Sequence, residues 1–234
     1  MSGKKLTSKQ EAELKSGAWF QSLPEDLQQA LIDAGKVIAL HAGDRLFARG
    51  DMPDGLYAVL SGAIRGSAVS AAGKEAILAL AEPPMWFGEI ALFDHQPRTH
   101  DAWADVETCL IHVPLTAFHV LLDAHPAYWR HFGRLLANKM RAMFNALEEV
   151  ALLPSAPRVA RRLLAMAEAY GDRRTDLSKP LEIRIPQEQL GLMVSLTRQT
   201  TNQVLKQFQE RGAIRLSRGG IEILDQILLR SLAE

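Results

Sequence analysis

Between Val37 and Val113, glycine breaks the apolar sequence into pieces too short for helices and spaced for strands. The pieces are Val37–Leu40, Leu46–Phe47, Leu56–Leu60, Ala63–Arg65, Ala76–Leu80 and Cys109–Val113, with Gly43, Gly50, Gly55, Gly62, Gly73 and Gly88 between them. Turn residues that recur about every 8–12 positions favour an antiparallel sandwich or barrel over alternating strand–helix units. Ser61-Gly62 and Ala72-Gly73 read as tight turns, because glycine takes the positive φ that side chains resist. Ahead of this region, Ala18–Phe20 and Leu23–Ile32 form an amphipathic stretch that reads as helix packed on the barrel.

A different period follows. Trp129, Phe132, Leu136, Met140, Met143, Leu147 and Val150 recur at intervals of 3, 4, 4, 3, 4 and 3, with Arg130, Arg134, Lys139, Arg141, Glu148 and Glu149 between them. The spacing predicts a long helix with a coiled-coil-like seam, expected to pair with its copy in a second chain. A core-facing stripe has nearly the same period, so spacing alone leaves both arrangements open. Pro154 and Pro157 end the run.

Beyond Pro154, Ser155 reads as the cap of a helix carrying Val159, Ala160, Leu163, Leu164, Met166 and Ala167 as far as Gly171. A short strand over Leu181–Ile185 precedes a helix over Gln187–Val194 and a second beginning at the N-cap candidate Thr197 and ending at Gly212. Only Ser195 and Leu196 separate the two, and a hairpin follows: Ile214–Leu216, a turn at Ser217–Gly220, then Ile221–Leu224. A strand, a closely joined helix pair and a hairpin describe a winged helix-turn-helix. With Thr201, Val204, Leu205 and Phe208 inward, the second helix turns Arg198, Gln199, Asn202, Gln203 and Lys206 to its other face, which carries no acid before Glu210. Arg can pair with guanine edges in the major groove, and Asn or Gln with adenine edges. Thr197 and Thr200 at the helix start, and Arg218 at the wing tip, are placed to reach phosphates. An αα-hairpin that docks protein is the competing reading.

The charge distribution agrees with a two-part molecule. Residues 1–154 hold 14 basic and 18 acidic residues, a net of −4, whereas residues 155–234 hold 13 basic and 9 acidic, a net of +4. An acidic body joined to a basic tail is compatible with a sensor attached to a nucleic-acid binder. The single cysteine, Cys109, excludes an internal disulfide and a cysteine-built zinc or iron–sulfur site, and reads as core. The polar N-terminus and short apolar runs predict a cytoplasmic protein without membrane contact. Nothing resembles a nucleophile–base pair, a metal-ligand cluster or a GxxxxGK[ST] loop, so no catalytic or metal-binding residue is expected, nor an enzyme.

One loop carries candidate chemistry. In Phe87–Thr99, Gly88 and Glu89 precede a short apolar turn with Ile90 and Ala91, and Arg98-Thr99 follows nine positions after the acid. A buried Arg beside free backbone N–H groups suits a phosphate, and Glu89 could accept a hydrogen bond from a ribose hydroxyl. A Glu89–Arg98 ion pair closing the loop is the alternative, and composition alone favours it.

Taken together, Gly55–Gly62, Gly88–Leu92, the long helix, Ile185–Gly191 and Thr197–Val204 resemble, in order and spacing, the cAMP receptor protein/FNR family of bacterial transcription regulators. The resemblance implies an α+β chain: an N-terminal β-roll of the cyclic-nucleotide-binding type over 1–126, a long dimerisation helix over 127–153 and a C-terminal winged helix-turn-helix domain over 154–234. It implies a homodimer on an inverted repeat of double-stranded DNA, with RNA polymerase as a partner. It places Glu89 on a ribose, Arg98 and Thr99 on a cyclic phosphate, and Gly88, Ile90 and Ala91 along the loop of a cyclic nucleotide effector. At the base edges it places Arg198, Gln199 and Gln203.

Two departures bear on the effector. His100 stands where cAMP-responsive members carry a small alanine, and Met143-Phe144 replace the Thr-Ser pair that faces adenine, so the adenine edge loses partners worth roughly 1–3 kcal/mol per unsatisfied buried group. A different nucleotide, a weakened cAMP site and an empty pocket stay open, and no cofactor is certain. A ligand-independent member, a haem sensor using one of His41, His95, His100, His112, His119, His125 and His131, and a cyclic-nucleotide signalling module acting on a protein partner are the alternatives.

Overall fold

The computed structural model describes residues 6–73, 75–171, 181–183, 185–217 and 220–234. The chain divides into two compact units, Met1–Ala142 and Met143–Glu234.

The first unit begins with α1 (Ser8–Lys15), α2 (Ala18–Gln21) and α3 (Glu25–Ala34), then β1 (Lys36–Leu40), β2 (Arg45–Phe47), β3 (Gly55–Ser61), β4 (Ile64–Val69), β5 (Glu75–Ala81) and β6 (Trp86–Phe87). It continues through α4 (Ile90–Asp94), β7 (Asp101–Ala104), β8 (Thr108–Pro114), α5 (Leu115–Ala124) and α6 (Trp129–Leu152), the last crossing into the second unit. Two antiparallel sheets form, in the orders β1-β8-β3-β6 and β2-β7-β4-β5. The expected antiparallel β-roll is therefore present.

Strand β3 shows how the sequence builds it. Successive side chains of a strand point to opposite faces. Tyr57 and Val59 enter a core between the sheets with Phe47, Ile64, Ala102 and Leu110, whereas Leu56, Ala58 and Leu60 enter a second core with residues of the helices. That explains an apolar run without polar alternation. The turn after β3 needs Gly62: φ is +83°, and a Cβ there would lie 2.4 Å from the Glu107 carbonyl oxygen.

The helical core collects Leu14, Phe20, Leu27, Leu31, Phe118 and Phe132, with Phe118 edge-on to Phe132 at 4.5 Å and Trp19 edge-on at 5.6 Å. Here the apolar stripe of α6 divides. Phe132 and Leu135 are buried and Trp129 packs against the core, but Met140, Met143, Phe144, Leu147 and Val150 are exposed.

The second unit contains α7 (Ser155–Gly171), β9 (Leu181–Ile183), α8 (Gln187–Met193), α9 (Arg198–Glu210), β10 (Ile214–Ser217), β11 (Gly220–Ile223) and α10 (Gln226–Ser231). Its sheet runs β10-β11-β9, antiparallel throughout. Val159, Leu163, Leu190, Leu205, Phe208 and Ile221 form the middle of one core. Helix α7 starts at Ser155 itself, directly after Pro154.

Candidate functional site

The β-roll brings the loop residues together around Arg98. After β6 the backbone turns at Gly88, with φ +98°, and a Cβ at that position would lie 3.1 Å from Arg98 Nη1. Glycine is what lets the guanidinium approach the loop. Arg98 is buried; Nη2 donates to Asp54 Oδ1 at 2.8 Å and to the Gly55 carbonyl at 3.0 Å, and Nη1 to the Gly88 carbonyl at 3.4 Å. Its Cζ lies over the Phe47 ring, 4.4 Å from the ring centre, a cation–π contact. Its Nε is buried without a hydrogen-bond partner among the described residues.

Glu89, at the start of α4, is 2% exposed and accepts from Lys139 Nζ at 2.7 Å. Glu89 and Arg98 therefore do not close the loop on each other, contrary to what composition favoured; each finds a counter-charge far along the chain, on α6 and in the loop before β3. Thr99 Oγ1 lies 2.8 Å from His100 Nδ1. Ile90 is exposed and Ala91 buried.

Asp54 gathers a polar cluster, since it also accepts from the Tyr57 hydroxyl, while His112 Nε2 stands 3.2 Å from its carbonyl oxygen. Partial burial would raise its carboxyl, but the hydrogen bonds from Tyr57 and Arg98 outweigh that and hold it below the usual carboxylate range. Burial and the bond to Asp54 push the Tyr57 phenol up. Burial draws the His100 and His112 imidazoles down, so each favours its neutral form, with the Arg98 charge acting the same way.

The second unit presents a different surface. Thr197 caps α9, its Oγ1 accepting from the Thr200 backbone N–H at 3.1 Å, and the two hydroxyls lie 2.9 Å apart. Thr201, Val204, Leu205 and Phe208 are buried, and Arg198, Gln199, Gln203 and Lys206 are exposed, as the 3.6-residue period requires. Asn202 differs from its neighbours. It is half-buried, and its Nδ2 donates to Gln187 Oε1 at 2.7 Å, tying α9 to α8.

Comparison with known proteins agrees with both halves. Residues 37–125 match the cyclic nucleotide-binding domain and residues 157–232 the Crp-like helix-turn-helix domain. In both domains and in their order the chain is similar to the cAMP receptor protein/FNR family. The CRP-like cAMP-activated global transcriptional regulator of Mycobacterium tuberculosis is 28% identical over 208 residues, covering 88% of this chain and 92% of that protein. The cyclic AMP receptor protein of Thermus thermophilus is 29% identical over 191 residues, covering 82% and 85%. The solved structure of a CRP/FNR-family transcriptional regulator from Thermus thermophilus matches with a TM-score of 0.70 at 26% identity, over 85% of this chain and 98% of that one.

Met143 and Phe144 stand 65% and 61% exposed on α6. Arg218 lies outside the described residues. Sequence reasoning missed Asp54 and Lys139. The available signal was a lone acid ahead of Gly55 and a lysine beside the α6 stripe, neither tied by spacing to Glu89 or Arg98.

Proposed function

We propose that this protein is a homodimeric, sequence-specific DNA-binding regulator of transcription, and that its β-roll admits a small anionic effector that reorients the recognition helices. The observation that carries the reading is α9: an exposed, acid-free row of Arg198, Gln199, Gln203 and Lys206 on a helix whose other side is core. Arg198, Gln199 and Gln203 are assigned to base edges, Lys206, Thr197, Thr200 and Arg218 to phosphates, and Asn202 to the joint between α8 and α9.

Dimerisation rests on the exposed half of the α6 stripe, Met140 to Val150. Apolar side chains there contribute about 1.5–3 kcal/mol each if fully buried against a second copy. Two recognition helices would then meet major grooves about 34 Å apart on an inverted repeat. The division into a sensor over 1–126, a dimerisation helix over 127–153 and a DNA-binding domain over 154–234 follows this assignment. RNA polymerase as a partner, a cytoplasmic location and the absence of enzymatic activity belong to the same proposal, on the family resemblance of the sequence.

For the effector, Gly88, Glu89, Ile90, Ala91, Arg98 and Thr99 are assigned to a cyclic nucleotide, with Met143 and Phe144 on the side of the dimer helix. Support comes from the buried Arg98 guanidinium with its unpartnered Nε and from the nearly enclosed Glu89 carboxylate. The names of the Mycobacterium tuberculosis and Thermus thermophilus relatives make cyclic AMP the first probe. Bound effector would bias the joint at Leu153–Pro157 between α6 and α7, and it can do so only by binding the two orientations with different affinity.

Selection from a random duplex pool followed by mobility shift tests the reading. An enriched inverted repeat, bound with affinity that falls steeply with salt, is expected. Leu147→Asp should leave a monomer that loses the repeat. No enriched repeat and no salt dependence would favour a docking surface for protein.

A further inference from the structure

The position after Arg98-Thr99 holds His100, and its ring is built into the pocket. Its Nδ1 lies 2.8 Å from Thr99 Oγ1, and the ring packs at 60° to Phe47 with ring centres 6.2 Å apart, the same Phe47 that lies under Arg98. On the other side, Gly66 of β4 makes the room: a Cβ there would fall 3.1 Å from Cδ2 and Nε2 of the imidazole. The ring is half-buried and makes no other hydrogen bond among the described residues.

We propose that His100 is a specificity-determining residue of the effector pocket, which withholds the Thr99 hydroxyl from a phosphodiester while neutral and releases it on taking up a proton. This inference rests on the reading of the β-roll as an anion-accepting pocket. A neutral imidazole with its lone pair on Nδ1 accepts the Thr99 O–H, and that proton then cannot reach a ligand oxygen. The imidazolium carries a proton on both nitrogens, so Nδ1–H donates to Thr99 Oγ1 and the hydroxyl proton turns outward to the phosphate. The same proton adds a positive charge beside Arg98. No bond breaks other than the one to the transferred proton, which comes from solvent.

The charges around the ring set the sign. Desolvation, Arg98 and Lys139 of α6 disfavour the imidazolium, and Asp101 of β7 and Glu89 favour it, with the first group prevailing. Arg65, next to Gly66 on β4, is committed to Glu75 and Asp105. A phosphodiester anion at Arg98 and Thr99 would reverse that balance and raise the pKa of the ring, so binding takes up a proton. Affinity is then highest below the pKa of the free protein, falls as pH rises through the interval between the free and bound values, and is flat above it.

Calorimetric titration of the full-length chain with cyclic AMP and cyclic GMP between pH 5.5 and 8.5 tests this, in two buffers of different ionisation enthalpy to count protons. The wild type should weaken by up to about tenfold per pH unit within that interval and take up a fraction of a proton. His100→Ala, which leaves Thr99 free at every pH, should bind independently of pH and, at pH 8, more tightly than wild type does at pH 8. His100→Asn, which keeps an acceptor beside Thr99 and cannot titrate, should bind weakly and independently of pH. Binding by wild type without pH dependence, or a pH dependence that survives in His100→Ala, would overturn the role of His100 and leave the pocket standing. No binding of either nucleotide by wild type or His100→Ala at any pH would overturn the pocket and this inference together.

Discussion

The two surfaces assigned to ligands treat their polar groups in opposite ways. In the β-roll, Glu89, Arg98 and Thr99 are already engaged by Lys139, Asp54 and His100 of the same chain. On α9, the side chains of Arg198, Gln199, Gln203 and Lys206 are exposed and make no hydrogen bond or ion pair to any described residue. An effector entering the pocket must exchange partners with groups the fold supplies, so its net affinity is a small difference between large terms, adjustable by any of the six residues. Duplex on α9 displaces only water and counter-ions, and its affinity accumulates contact by contact. A site of the first kind suits a switch, and one of the second kind suits a reader.

Lys139→Met makes the strongest test of that contrast. It leaves the Glu89 carboxylate, 2% exposed, without its counter-charge and should cost about 3–5 kcal/mol of stability in urea unfolding. Glu89→Gln added to Lys139→Met should restore much of the loss, because the stranded charge is gone. A loss of about 1 kcal/mol or less would class the pair with ordinary surface ion pairs and erase the contrast. Arg198→Ala should do the reverse: unfolding unchanged, but about 1–3 kcal/mol lost on the selected DNA site, with preference relaxed at one base pair per half-site. An equal loss on every DNA sequence would move Arg198 to a phosphate.

Asn202→Ala sharpens the comparison from within α9, since Asn202 has an internal partner as the pocket residues do. Loss of its 2.7 Å bond to Gln187 should lower stability by about 1 kcal/mol and weaken all DNA sequences alike, without a change of preferred base. A base-specific effect, read by competition against single-substitution sites, would return Asn202 to the groove.

What the sequence made legible follows the same division. The α9 face could be read because a helix spaces its own faces every 3.6 residues, and Thr197 announced its cap by type and position. The strands could be read where glycine bounded them. Strand β6 is two residues long, α1 buries only Leu14, and β7 reads Asp-Ala-Trp-Ala, so none carries a period long enough to see. The pocket partners lay beyond reach for a different reason: Arg98 meets Asp54 across 44 positions and Glu89 meets Lys139 across 50, and only the closed β-roll brings them together. Likewise Phe132 and Leu147 share one stripe in sequence, yet one is 0% and the other 62% exposed.

The smallest expected effect lies in the turn between α8 and α9. Ser195 has φ +56°, in the left-handed region where a side chain costs roughly 1–2 kcal/mol and glycine does not. Glycine in turn loses about 0.5–1 kcal/mol more backbone entropy on folding, so Ser195→Gly should stabilise the second unit by a few tenths to about 1 kcal/mol. Its DNA affinity should not change, because α9 is held by Thr197, by Asn202–Gln187 and by its buried face rather than by the turn. A reader built on a fixed helix tolerates that substitution. Weaker DNA binding by a more stable Ser195→Gly protein would mean that the turn itself sets the presentation of Arg198, and that the reading surface, like the pocket, is held in balance by an internal constraint.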